Sequence, residues 1–241
     1  MSKALALLDC FRLQDTPMGV TELARQTGLP KSTAFRLLAH LEEIGYVERH
    51  GKQYRPGWLL FELGTGFDAV QPRGLRSAAL PHMADLFALT KQTVHLGALQ
   101  RDEIIHVARM RGSQSVVWPI RYGGRGPATC SSMGKILLAH RPASEVSKVL
   151  RGPLPKMTKY SIVAPGVLAE QLKRAREQGY AVEREETGPG LLSVAVPVNY
   201  GGRAIAALAL AGRSGAFKFE AHVDQLRRSA ALIGKSLQEM R

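Results

Sequence analysis

Ser132 and Lys135 stand three residues apart, a spacing that puts a hydroxyl and an amine one helical turn apart and serves nucleophilic catalysis in one class of serine enzymes. The companion patterns S-D-N and K-T-G occur nowhere in the chain, so the pair argues only weakly for a nucleophile. Cys130 lies at the start of the same predicted helix, where the dipole can depress a thiol pKa; the alternative is a small residue lining a pocket or packed in a core. The seven histidines show neither H-x-x-x-H nor H-E-x-x-H spacing, so no metal or other cofactor is expected. Glu183, Glu185 and Glu186 cluster near a predicted strand end and read as solvated charge rather than as paired catalytic carboxylates. The glycine-rich run Gly123 to Thr129 leads into the predicted helix 131–140. Free N–H groups at such a helix start suit a carboxylate, unless the run is a plain connecting loop.

A second constellation lies near the N-terminus. Between Glu22 and Glu42 there is no acid, while Arg25, Lys31 and Arg36 all fall inside that stretch. The pattern predicts a helix from Ser2 to about Leu13, a turn over residues 15–19, and a short helix from Thr21 to Thr27. Gly28 then sits at a helix C′ position and Pro30 at the first position of the next helix. That helix runs to about Ile44, with Ala34, Leu37, Leu38, Leu41 and Ile44 facing inward. Ser32, Thr33, Arg36 and His40 then lie on or near its outer face, with Lys31 and Phe35 beside them. Short hydroxyls, lysine and arginine at the N-terminal end of such a helix reach base edges and phosphates in a major groove. Phe35 is either a contact or half-buried packing. Residues 46–49 and 53–55 pair around a Gly51 turn, with Lys52 at the tip facing phosphate. Arg49 and Arg55 are either phosphate contacts or solvated charges. Helix, short helix, turn, longer helix and hairpin is the order of a winged helix-turn-helix. One such module makes few contacts, so pairing into dimers on two half-sites is expected.

A helix over 58–70 reads as a linker or dimer contact, and residues 71–74 mark a boundary. The expected division is therefore 1–57, 58–72 and 73–241. Beyond it, helices (75–90, 131–140, 144–151, 165–178, 219–240) alternate with strands (92–99, 103–110, 116–120, 181–185, 193–198, 204–211). Helices packed on one mainly antiparallel sheet make an α+β domain. Of 241 residues, 33 are Lys or Arg and 20 are Asp or Glu, for a net charge of +13. Most of that excess lies after residue 57, so the total charge is not what points to nucleic acid. Two cysteines 120 positions apart, Cys10 and Cys130, make no disulfide framework. No apolar run approaches a membrane span, and a soluble, cytoplasmic chain is expected.

Taken together, TELARQTGLPKSTAFRLLAHLEEIGYVERHGKQYRPGWLLFELG (21–64), GGRGPATCSSMGKILLA (123–139), GYAVEREETGPGLLSVAVPV (179–198) and GRAIAALALAG (202–212) resemble IclR-type bacterial transcriptional regulators, in order and across nearly the whole chain. The resemblance implies a winged helix-turn-helix, a linker helix and a GAF-like α+β effector-binding domain. It also implies a homodimer or homotetramer on double-stranded operator DNA, controlling a catabolic operon in response to a small metabolite. Carried over by position, the carboxylate-holding amides fall on Ser132 and Met133, the acidic pocket position on Glu183, and a thiol or hydroxyl position on Ser193. Two serines found in members that bind very small keto acids fall on Ala209 and Ala211 here, and Trp118 falls in the segment that supplies an apolar wall. Methyls in place of those hydroxyls favour a carboxylate with an aromatic or aliphatic body over glyoxylate or pyruvate. The competing readings are a hydrolase-like enzyme in residues 73–241 and an interaction protein whose winged helix binds protein.

Overall fold

The computed structural model describes residues 2–12, 16–65, 74–112, 119–120 and 123–240. The chain divides into two compact units, Met1–Gln71 and Pro72–Arg241.

In the first unit, α1 (Ser2–Phe11), α2 (Val20–Thr27) and α3 (Lys31–Glu43) close over a small core of Leu7, Leu23, Ala34, Leu38, Leu41, Val47 and Tyr54. Strands β2 (Val47–His50) and β3 (Gln53–Pro56) form the hairpin, and β1 (Met18–Gly19) adds a third strand against β3. Residues 18–19, expected within a turn, are thus extended and paired. Gly28 ends α2 at φ 67°. The Leu29 N–H reaches back to the Ala24 carbonyl at 3.0 Å, which caps the helix with a reversal only glycine adopts without strain. Pro30 caps α3 from outside rather than opening its first turn. Ile44 is 44% exposed rather than inward, because the helix has ended and Gly45 turns the chain at positive φ. Helix α4 (Trp58–Thr65) follows, and the remainder of the expected linker lies outside the described residues.

The second unit is a three-layer α+β fold. Among the described residues its sheet has six antiparallel strands in the order β6-β5-β4-β9-β8-β7, namely β4 (Thr93–Gln100), β5 (Glu103–Met110), β6 (Arg125–Pro127), β7 (Ala181–Arg184), β8 (Leu191–Tyr200) and β9 (Arg203–Arg213). Alternation along the strands divides the side chains between two faces. Val94, Leu96, Val194, Val196, Leu208 and Leu210 pack against α5 (Leu75–Thr90) and α9 (Val223–Glu239). Ala195, Ala207, Ala209 and Ala211 face α6 (Ser132–Ala139) and α8 (Pro165–Gln178). The side toward α5 and α9 is built from large residues and the other from alanines. Helix α7 (Ala143–Arg151) buries none of its side chains fully. The start of the expected 219–240 helix is a 3-10 turn, Phe219–His222.

The glycine-rich run is not a loop throughout. Arg125–Pro127 is β6, paired with β5, and Ala128–Cys130 is a 3-10 turn. Of the expected strand 116–120, residues 119–120 form a bend and the rest lie outside the described residues. The 3-10 turn presses against α6 so closely that a Cβ on Gly134 would stand 2.0 Å from the Ala128 carbonyl oxygen. Gly134→Ala therefore forces α6 off the turn. We expect a loss of ~1–3 kcal/mol, read as a lower denaturant midpoint at unchanged m-value.

Candidate functional site

Helix α6 starts with a built cap. The Ser131 side chain accepts the Gly134 N–H at 3.0 Å, while the amides of Ser132 and Met133 form no hydrogen bond among the described residues. Two buried N–H groups thus point outward at the positive end of a helix, the arrangement that receives an anion. Cys130 is not at the helix start as expected but closes the 3-10 turn before it. Its thiol is buried, donates to the Pro155 carbonyl at 3.3 Å, and is pushed up in pKa chiefly by burial, so it is no activated nucleophile.

Lys135 and Ser132 are both buried but serve different bonds. The Lys135 ammonium is 1% exposed and contacts both carboxylate oxygens of Glu186, at 2.5 and 2.7 Å, and Gln171 Oε1 at 2.8 Å. Ser132 Oγ instead lies 2.6 Å from Ser193 Oγ, which donates to Glu183 Oε2 at 3.4 Å. The S-x-x-K spacing is thereby accounted for without catalysis. Lysine one turn along α6 reaches the turn after β7, while the serine reaches β8.

The glutamate cluster, read as solvated, is mostly interior. Glu183 and Glu186 are buried. Glu185 takes φ 60°, and its carboxylate accepts the Gly190 N–H at 2.8 Å and the Ser214 hydroxyl at 3.1 Å, fixing the turn between β7 and β8. Glu183 also accepts the Thr187 N–H at 3.1 Å. Burial raises its pKa to about 7, against the lowering effect of the bonds from Thr187. Burial likewise raises Glu186, opposed by Lys135.

Strand register gives the floor of this region. Glu183 pairs with Ser193, Ser193 with Ala211, and Ala211 with Thr93. The adjacent row on the same face runs Ala181, Ala195, Ala209, His95. The positions on β9 thus carry methyls, but the next strand places a hydroxyl beside Ala211 and an imidazole beside Ala209. His95 and His106 stack edge to face at 5.4 Å. Burial, then neighbouring positive charge, pushes His106 down to about 4 and His95 well below its usual value, so both are neutral at neutral pH. Sequence reasoning missed Thr93 and His95, whose only signal was alternation in a strand with polar residues on one parity. Trp118 lies outside the described residues.

In the first unit Lys31, Ser32, Arg36 and His40 are exposed on α3, and Thr33 is half-buried. Phe35 is 47% exposed, more than a packing residue needs. His40 Nδ1 lies 3.3 Å from Glu43 Oε2. Lys52 is exposed at the hairpin tip, and Arg49 Nε donates to the Gly51 carbonyl at 3.0 Å. Arg55 is engaged across the hairpin by Glu48 at 2.8 Å. Among the described residues no group of three His, Cys, Asp or Glu could hold a metal ion, and no helix is long and apolar enough to cross a membrane.

The raised pKa of Glu183 has a signed consequence. Below pH 4.5 the group is protonated whether folded or unfolded and contributes nothing. As pH rises, the unfolded chain ionises first, so the folded state loses stability until about pH 7 and the deficit stays constant above. The full deficit is about 3 kcal/mol. Glu183→Gln removes it. In paired urea titrations the variant should gain on the parent between pH 4.5 and 7. The buried histidines act oppositely, but they cancel in the difference between the two proteins.

Comparison with known proteins agrees with this architecture. The sequence profile of the IclR helix-turn-helix domain matches residues 1–51, and that of the bacterial transcriptional regulator IclR C-terminal region matches 67–234. The chain is 36% identical over 188 residues to the HTH-type transcriptional regulator KdgR of Escherichia coli K12, covering 77% of this chain and 71% of that one. It is 34% identical over 219 residues to XynR of the same organism, covering 87% and 84%. An IclR homolog from Microbacterium hydrocarbonoxydans, solved with 4-hydroxybenzoate, superposes with a TM-score of 0.90 at 28% identity, covering 98% of each chain. The Thermotoga maritima IclR gives 0.79 at 31%, covering 98% and 97%. These relatives are regulators, which removes the ground for the enzyme reading; the chain belongs to the IclR family of bacterial transcriptional regulators.

Proposed function

We propose that this regulator senses a carboxylate with an aromatic or aliphatic body and alters its hold on the operator of a catabolic operon accordingly. The observation that carries the reading is the pair of open amides at Ser132 and Met133, next to the bonded set Ser132, Ser193 and Glu183. A ligand carboxylate accepts from those amides. Glu183 takes up a proton so that two anions do not share a buried space, and then donates to the ligand. The alanines of β8 and β9 face the ligand body. The related protein solved with 4-hydroxybenzoate binds an acid of this class, which supports the assignment.

On DNA, α3 enters the major groove with Ser32, Thr33 and Arg36 at base edges and Lys31, Phe35 and His40 flanking them, while Lys52 meets phosphate. No acid stands in the first turn of α3 to oppose this. Trp58, Phe61 and Leu63 are exposed on α4, an apolar surface suited to a second copy of the chain, as binding at two half-sites requires. The ligand acts through a difference in its affinity for DNA-competent and incompetent states, and couplings of ~1–3 kcal/mol suffice.

The test is binding of the full chain to its upstream intergenic DNA in a salt series, with and without benzoate, 4-hydroxybenzoate and hexanoate. Arg36→Ala should cost ~1–3 kcal/mol of specific affinity and relax one base position, while Lys52→Ala should lower the salt slope by about one. At least one acid should shift operator affinity. Binding that random DNA competes away equally, or that glyoxylate shifts better than any of the three acids, would overturn the reading.

A further inference from the structure

Two buried hydroxyls have no hydrogen-bond partner among the described residues, those of Thr93 and Thr129. A hydroxyl shut away from water without a partner is costly, and native folds keep few of them unless something else completes the bond. Thr129 sits in the 3-10 turn leading into α6. Thr93 is the more informative because its place is fixed by register. It is 5% exposed and pairs with Ala211, so its side chain shares the face that carries Ser193 and Glu183.

The distances along that row act as a ruler. Ser132 stands directly over Ser193, with the two oxygens 2.6 Å apart. From Ser193 to Thr93 is two strand spacings, roughly 10 Å. Between them lies the methyl of Ala211, with Ala209 and His95 in the adjoining row. A carboxylate at the start of α6 and a group bonded to Thr93 would be separated by about the reach of a benzene ring with para substituents, with a hydrogen bond at each end.

We propose that Thr93 is the second polar anchor of the effector site, and that the effector carries an oxygen function opposite its carboxylate. The inference rests on the carboxylate reading above and narrows it, since a ligand with a purely apolar far end would leave Thr93 Oγ1 unpaired. The oxygen function is either a hydroxyl, which can donate to or accept from Thr93, or a second carboxylate, which can only accept. The half-buried Arg109, paired in register with His95, brings a cation to this face from β5.

The experiment is calorimetric titration of the full-length protein with benzoate, 4-hydroxybenzoate and terephthalate, in the parent, Thr93→Val and Thr93→Ser. One of the two para acids should bind ~10-fold or more tightly than benzoate. Thr93→Val should erase that ratio and leave benzoate affinity unchanged, while Thr93→Ser keeps the ratio. Which para acid gains identifies the oxygen function. The free Thr93→Val protein should melt no lower than the parent, because it removes an unpaired hydroxyl and keeps the volume. A para advantage that survives Thr93→Val, the absence of any such advantage in the parent, or a markedly lower melting point of the variant would each overturn the proposal. The first two leave the carboxylate reading standing. Failure of all three acids to bind would overturn that reading and this one together.

Discussion

The Lys135–Glu186 pair holds the effector-side geometry together. An ammonium that is 1% exposed must be neutralised where it stands, and Glu186 meets it with both oxygens. That requirement ties the first turn of α6 to the segment after β7, through two residues 51 positions apart in sequence. Once they are tied, the open amides of Ser132 and Met133 can only lie above β8, where Ser193 and Glu183 wait. Such a pair need not add net stability, since desolvation offsets most of the attraction. Losing one partner, however, strands a buried charge at ~3–5 kcal/mol. Position is what it secures.

The second constraint is the division of the sheet into a face of large residues and a face of small ones. Large side chains toward α5 and α9 build one of the two cores of this unit. The alanines opposite let α6 come close, and the missing Cβ of Gly97 leaves room for the Met133 side chain. A bulge keeps the two faces consistent across β4 and β5. Leu96 pairs with Ala108 and Gly97 with His106, leaving Val107 as the extra residue. The alternation flips there, so His106 joins His95 on the α6 face while Ala108 stays with Leu96 on the other.

Much of this was legible in the sequence because the signals were local. Gly28 and the period of α3 locate the winged helix, and the alternation of β8 and β9 locates the sheet. What was not legible depended on partners distant in the chain. No local pattern distinguishes a solvated glutamate run from one in which Glu186 neutralises a lysine, Glu185 ties a turn and Glu183 is buried. Thr93 looked like an ordinary strand residue, since its significance comes from lying in register with Ala211, 118 positions away. Arg55 looked like a free cation until register set it opposite Glu48. On α3, by contrast, the exposed set followed from helical period alone, with Ile44 missed because the helix stops one residue earlier.

These constraints converge on a buried carboxyl whose pKa, about 7, lies within the physiological range and whose neighbours are two hydroxyls and two open amides. If an anionic ligand binds there, its charge must be accommodated by protonating Glu183, and sensing becomes a joint uptake of acid and proton. The most direct measurement is calorimetry of 4-hydroxybenzoate binding to the full chain at pH 8, in buffers of different ionisation enthalpy. Net uptake approaching one proton in the parent, falling to nothing in Glu183→Gln, is the predicted result. Binding of equal strength with no proton uptake in either protein would contradict the account, because the ligand carboxylate would then lie somewhere Glu183 does not feel it.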